Sequence, residues 1–259
     1  MTTIAILGLG EAGRRYARGL AGAGATVHGF DPHHEPGVPG VEQKSELADA
    51  VAAADAVLSL VHGAIAAAVA ADAIPHLRAD AVYADLNAAS PATKSEIAVL
   101  ARSCNVRMAD VAVLAPVTRA GHRTPLLASG DGAAALADLL RPLGVPMEVL
   151  DDEAGAAARH KLLRSVFMKG LAALTIESLE AARAAGVEDW MRAQIAQELG
   201  PDGEAAVDRL VTGTSTHAAR RAQEVRDALA ELEASGVPTD MTRATLAWFE
   251  RLVADRDHD

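Results

Sequence analysis

The run Thr3-Ile-Ala-Ile-Leu7 opens directly onto Gly8-Leu9-Gly10-Glu11-Ala12-Gly13 and then onto the helical pattern Arg14-Arg-Tyr-Ala-Arg-Gly-Leu-Ala21. A strand that passes into a helix through so few residues restricts the fold more than any other feature of the chain, because each glycine has its own job. Gly8 permits the tight turn, Gly10 lets backbone come close to a phosphate, and Gly13 lets the helix lie against the strand. The helix start offers unpaired N–H groups and the positive end of its dipole, a pairing that favours a pyrophosphate. A second strand, Thr26 to Phe30, ends in Asp31, 18 residues beyond Gly13. A carboxylate there accepts from ribose hydroxyls and repels a 2′-phosphate. Together these features predict a dinucleotide site built on Gly8, Leu9, Gly10, Glu11, Ala12, Gly13 and Asp31. The expected cofactor is NAD. NADP is also admitted, since protonated His33 and His34 can meet a phosphate.

The same strand–helix rhythm continues. Strand candidates fall at Ala56–Leu60, Ala81–Asp85, Val106–Val113, Leu126–Ser129 and Met147–Leu150, with alanine-rich helical stretches such as Ala12–Ala23 and Pro91–Ser103 between them. That alternation predicts a doubly wound parallel sheet with helices on both faces. After Asp151 the strand signals stop and the chain reads as helix, punctuated by Gly186, Gly200, Gly213 and Gly236. We therefore expect an α/β domain of the Rossmann type over 1–150 and a smaller all-α domain over 151–259. Fifty-nine alanines and 3% aromatics describe thin, closely packed helices that bury little area alone, so a homodimer is expected through the second domain.

Composition excludes several classes. Thirty-five acidic residues against 24 basic ones argue against a general nucleic-acid binder. The most apolar stretch, Ala56–Ala70, carries His62 and is bracketed by Asp55 and Asp72, so no membrane span is expected. Ile4–Leu7 is too short and lacks the basic leader of a signal peptide, and the single Cys104 makes no internal disulfide. Both point to the cytoplasm. No His, Cys, Asp or Glu spacing resembles a metal site, so none is expected.

Four segments carry a resemblance. Ile6-Leu-Gly-Leu-Gly-Glu-Ala-Gly13, Asp85-Leu-Asn-Ala-Ala-Ser-Pro91, Asp110-Val-Ala-Val-Leu-Ala-Pro116 and Gly155-Ala-Ala-Ala-Arg-His-Lys161-Leu-Leu-Arg-Ser165 follow one another along the chain. In this order they resemble the motifs of the β-hydroxyacid dehydrogenases, the group containing hydroxyisobutyrate and phosphogluconate dehydrogenases. The helical half is most similar to a phosphogluconate-dehydrogenase-like oxidoreductase branch that names no substrate. The resemblance implies an NAD(P)-dependent enzyme acting on a small, anionic hydroxyacid-like substrate in a cleft between domains. Lys161 falls on the catalytic lysine, with Ser165 and Asn87 beside it. Leu60, Val61 and Asn87 join the cofactor contacts, and Asp110, Leu114, Ala115, Arg164, His217 and Arg221 are the implied substrate contacts. Asn87 stands where the family has serine, Leu114 where it has a substrate-anchoring serine, Ala157 for its second glycine, and Ser165 for its asparagine.

Oxidising an alcohol requires removal of the hydroxyl proton as hydride leaves, and a lysine near other cations or out of water suits that step. Arg164 at i+3 and the adjacent His160 are such neighbours. The other reading of Lys161 is an ordinary exposed helix lysine. On a helix expected over Thr216–Ala234, His217, Arg221 and Glu224 share a face that would meet an anion or form a salt-bridged surface. Two alternatives to the dehydrogenase stand: an imine reductase of the same architecture, and a dinucleotide-binding protein without catalysis.

Overall fold

The computed structural model describes residues 2–33 and 37–256. The chain divides into two compact units, Met1–Lys161 and Leu162–Asp259. In the first, the order is β1 (Thr3–Leu7), α1 (Glu11–Gly22), β2 (Thr26–Phe30), β3 (Glu42–Gln43), α2 (Leu47–Val51), β4 (Ala56–Ser59), α3 (Ala66–Ala73), β5 (Val82–Asp85), α4 (Pro91–Ser103), β6 (Arg107–Val113), α5 (Val117–Ala120), β7 (Leu126–Ser129), α6 (Ala133–Leu140) and β8 (Met147–Val149). α7 (Ala156–Ala184) begins in this unit. The boundary drawn from sequence at 150/151 lies at the end of the last strand, whereas the units divide after Lys161, inside α7.

The eight strands form one sheet in the order β3-β2-β1-β4-β5-β6-β7-β8. Strand order reverses between β1 and β4, which places the switch point of a doubly wound sheet at the glycine loop after β1. β1 shows why both faces must be covered. Ile4 and Ile6 join a core with Tyr16, Ala17 and Leu20 of α1 and Leu136 and Leu140 of α6. Ala5 and Leu7 join a second core with Val51 of α2, Ala70 of α3 and Ile97 of α4. Alternate side chains point to opposite faces, and both sets are apolar, as parallel strands require.

Two details depart from expectation. β3 is a two-residue strand, too short to leave a period in the sequence. β7 runs antiparallel to β6, so the sheet is only mostly parallel. The link between them holds only the four-residue α5 and a 3₁₀ turn, too little helix to carry the chain back along the sheet for a parallel return.

The second unit is helical: the remainder of α7, then α8 (Glu188–Glu198), α9 (Gly203–Thr216), α10 (Ala218–Ala234) and α11 (Asp240–Arg256). Gly186, Gly200 and Gly236 adopt positive φ just past helix ends, where glycine terminates a helix without Cβ strain. Trp248 and Phe249 pack edge to face at 5.2 Å with Ala173, Ala222 and Val225 around them. No helix among the described residues is long and apolar enough to cross a membrane.

Candidate active site

The three glycines of the loop are required for different reasons. Gly8 sits at φ +90, and a Cβ there would lie 2.6 Å from the Leu60 carbonyl oxygen. A Cβ on Gly13 would lie 1.8 Å from the carbonyl oxygen of Gly8, so helix α1 closes onto the loop only through a bare backbone. A Cβ on Gly10 would meet nothing within 4 Å. Packing within the chain does not demand glycine at that position, and the space beside it is open. Gly10 is also the N-cap of α1 and has no side chain to satisfy the helix's first amides.

Around the loop lies a cavity of about 930 Å³ whose walls include Gly8, Gly10, Phe30, Asp31, Leu60, Val61, Ile65 and His76. Asp31 is placed by two backbone donors: Leu9 N–H donates to Oδ2 at 2.8 Å and His33 N–H to Oδ1 at 2.9 Å. The described wall carries three carboxylates, Asp31, Glu46 and Asp72, and neither lysine nor arginine. His34, named with His33 as a phosphate contact, lies outside the described residues. Open space at Gly10, a carboxylate at the end of β2 and an apolar wall fit a dinucleotide.

From this cradle a row of polar residues crosses the sheet. Ser59, Asp85, Asp110 and Ser129 stand in register on β4, β5, β6 and β7, and all four are fully buried. Asn87, just past β5, is bound into this row. Its Nδ2 donates to Ser59 Oγ at 3.0 Å and to Asp85 Oδ2 at 3.2 Å, and its Oδ1 accepts from Val61 N–H at 2.7 Å. The Asn87 amide therefore holds the Leu60–Val61 rim of the nucleotide cavity, with both of its hydrogens committed inside the unit.

Asp110, implied as a substrate contact, has no exposed surface. Its Oδ2 accepts from the N–H groups of Gly155 at 3.0 Å and Ala158 at 2.9 Å, and Ser129 Oγ accepts from Ala157 N–H at 3.0 Å. The start of α7 is thus capped by side chains from β6 and β7, a partnership of carboxylate and helix N-terminus. Leu114 packs beside Ala112, Leu127, Ala157 and Leu150 in an apolar cluster, with Ala115 next to it partly exposed. Lys161 lies one and a half turns into α7 and is partly exposed, while the neighbouring His160 turns its Nδ1 to the Ala156 carbonyl at 2.8 Å.

A lysine that the sequence does not single out joins this row. Lys94 of α4 is 1% exposed, and its ammonium donates to Asp85 Oδ1 and to the Asp85 carbonyl, each at 2.7 Å, while facing Asp110 Oδ1 at 3.2 Å. A lysine is so buried only when paired. A signal was present: the buried face of α4 is Pro91, Lys94, Ile97, Ala98 and Ala101, a lysine inside an apolar stripe.

The remaining candidates lie in the second unit. Arg164 is exposed. Ser165 is buried and accepts from Lys169 Nζ at 3.4 Å, and Lys169 in turn pairs with Glu224 at 2.5 Å. His217, Arg221 and Glu224 keep their helical spacing, with Arg221 N–H donating to the His217 carbonyl at 3.0 Å, but their side chains are not gathered to meet a ligand. α10 starts at Ala218, so His217 is its non-helical N-cap, and Arg221 turns back to donate to Thr214 Oγ1 at 2.5 Å. The sequence places the helix start too early because Thr216 and His217 themselves give no strong stop between α9 and α10. Among the described residues no group of three His, Cys, Asp or Glu is placed to hold a metal ion.

Comparison with known proteins gives two domain matches: residues 3–144 match the NAD binding domain of 6-phosphogluconate dehydrogenase, and residues 182–252 a domain of unknown function termed DUF1932. A conserved hypothetical protein from Sinorhizobium meliloti 1021 is 35% identical, with a TM-score of 0.78 over 96% of this chain and 88% of its own. The conserved protein MTH1747, described as structurally similar to 3-hydroxyacid dehydrogenases, is 27% identical with a TM-score of 0.79 over 98% of both chains. An uncharacterized 28.5 kDa protein from Methanothermus fervidus is 32% identical over 147 residues, 56% of this chain and 55% of that one, so the chain spans about half the length of this curated relative. The fold alone is shared with 3-hydroxyisobutyrate dehydrogenase of Mycobacterium tuberculosis (23% identity, TM-score 0.80, 98% and 94% covered) and an imine reductase from Myxococcus stipitatus (19%, 0.69, 98% and 95%). The nucleotide is NAD, with NADP admitted, and the chain belongs to the family of the 6-phosphogluconate dehydrogenase NAD binding domain, within the β-hydroxyacid dehydrogenase superfamily.

Proposed function

We propose that the chain is an oxidoreductase that interconverts a small hydroxyacid-like alcohol and its carbonyl, with Lys161 moving the hydroxyl proton. The observation that carries this reading is the pinning of α7 to the edge of the sheet that forms the nucleotide cradle: Asp110 and Ser129 hold the first turn of the helix that bears Lys161. A nicotinamide dinucleotide held by the glycine loop and Asp31 would supply or accept the hydride. Lys161 Nζ takes the hydroxyl proton on oxidation and returns it on reduction. Asn87 contributes by fixing the Val61 amide at the rim. Among the expected anion contacts Arg164 keeps an exposed guanidinium, the fork that a carboxylate prefers, whereas Arg221 is committed to Thr214.

A second reading is imine reduction, favoured by Leu114, whose apolar packing leaves no hydroxyl where hydroxyacid relatives anchor substrate. Turnover of NADH or NAD against panels of β-hydroxyacids and of cyclic imines separates the two. On the substrate found, Lys161→Ala is expected to lower kcat at least 100-fold, within the range of a lost acid–base group. A loss of only a few fold overturns the role given to Lys161. Tight NADH binding without turnover on either panel assigns the chain to dinucleotide binding without catalysis.

We place the protein in a reducing compartment such as the cytoplasm, on its one cysteine, Cys104. We further assign it a homodimer. Leu163, Phe167 and Leu174 of α7 recur at helical spacing and are 48%, 67% and 61% exposed, an apolar stripe that a second copy covers.

A further inference from the structure

We propose that Lys94 is a positioning residue of this site, tying the nucleotide rim to the helix that carries Lys161. The inference rests on the oxidoreductase reading for its purpose, though its geometry stands apart from it. A buried ammonium contacts two buried carboxylates, and each carboxylate holds a different functional part. Asp85 accepts from the backbone N–H of Asn87 at 2.9 Å and from its amide, and Asn87 in turn fixes Val61. Asp110 accepts from Gly155 and Ala158 and so fixes the first turn of α7. Asp85 and Asp110 are register partners on neighbouring strands, which brings two like charges side by side at full burial.

Such a pair repels strongly in a medium of low dielectric unless a cation lies between them. Lys94 is that cation. It reaches the pair from α4, whose N-terminus is fixed by the Ser90 cap and Pro91. A buried ion cluster of this kind adds little net stability over apolar packing, but it fixes a geometry, because losing one partner leaves a charge uncompensated. Lys94 is 1% exposed and lies outside the described lining of the cavity, so it acts through Asn87 on one side and through α7 on the other.

The test uses the full chain with NADH as probe and amide hydrogen exchange as a readout independent of activity. In Lys94→Met, the NADH Kd is expected to rise at least fivefold. Exchange at the amides of Gly155 and Ala158 is expected to accelerate at least tenfold beyond any change in strands β1 and β4. A purely structural role would speed all core amides alike. Should Lys94→Met not fold, two milder variants divide the cluster: Asp85→Asn is expected to act mainly on NADH affinity, and Asp110→Asn mainly on exchange at Gly155 and Ala158. The proposal is overturned if folded Lys94→Met leaves both readouts within twofold of wild type, or if the two asparagine variants show the same pattern as each other. If the wild type fails to bind NADH, the dinucleotide reading falls while the exchange readout still decides on Lys94.

Discussion

Replacing Gly10 and Gly13 singly by alanine separates what the loop does for folding from what it does for a ligand. A Cβ at Gly13 lies 1.8 Å from a backbone oxygen, against an ordinary contact of at least 3.4 Å, so helix or loop must move by about 1.6 Å. Overpacking of this kind costs about 1–3 kcal/mol, and in a chain of this size that lowers Tm by roughly 3–10 °C. At Gly10 the methyl group enters open space, and the cost to folding is that of alanine at an N-cap, up to about 1 kcal/mol. The same methyl blocks the approach of a phosphate to the α1 amides. Losing one charged hydrogen bond there costs about 1.5–3 kcal/mol, or roughly 10- to 100-fold in NADH Kd. Thermal scanning and fluorescence titration with NADH read both effects. Gly10→Ala binding NADH as the wild type does, or Gly13→Ala melting with it, would refute the division of labour.

Three further outcomes follow from single residues. Asp31→Asn keeps an acceptor for Leu9 N–H but removes the charge, and is expected to shift the Kd ratio about tenfold toward NADPH in paired titrations. His122 packs against Gly19, and burial, followed by Arg123, holds its pKa below the ordinary value while a backbone hydrogen bond to Leu143 opposes them. Since the unfolded chain then binds the proton more readily, stability is present above pH 6.5 and falls as the pH drops through the folded-state value. The Tm of the wild type is expected to decline on acidification below pH 6.5, and that of His122→Gln to decline less. Phe167→Glu places a charge in the exposed stripe of α7 and is expected to convert a dimer to a monomer by light scattering.

What the sequence made legible follows physical necessity. The glycine loop and Asp31 could be read directly because a turn at positive φ, a 1.8 Å approach and a strand-end carboxylate leave few residue types to choose from. The strands of both cores were legible because each is apolar on both faces. β3 and the direction of β7 were not, since pairing of two residues and strand polarity depend on the neighbours and on link length. Lys94 stayed hidden because lysine reads as a surface residue, and only the apolar positions around it on α4 show otherwise. Asp110 was expected against a substrate, whereas its partners are backbone amides 45 and 48 residues away, which no local pattern displays.

The central claim is that a dinucleotide lies along the junction of β1 and α1, with the Lys161 amine facing its nicotinamide. A crystal structure of the chain with NADH tests it most directly. The expected density has the pyrophosphate within hydrogen-bond distance of the amides that follow Gly10, the ribose on Asp31 and the Lys161 amine toward the reactive ring. A pyrophosphate seated away from Gly10, or a Lys161 amine directed away from the nicotinamide into solvent, would contradict it.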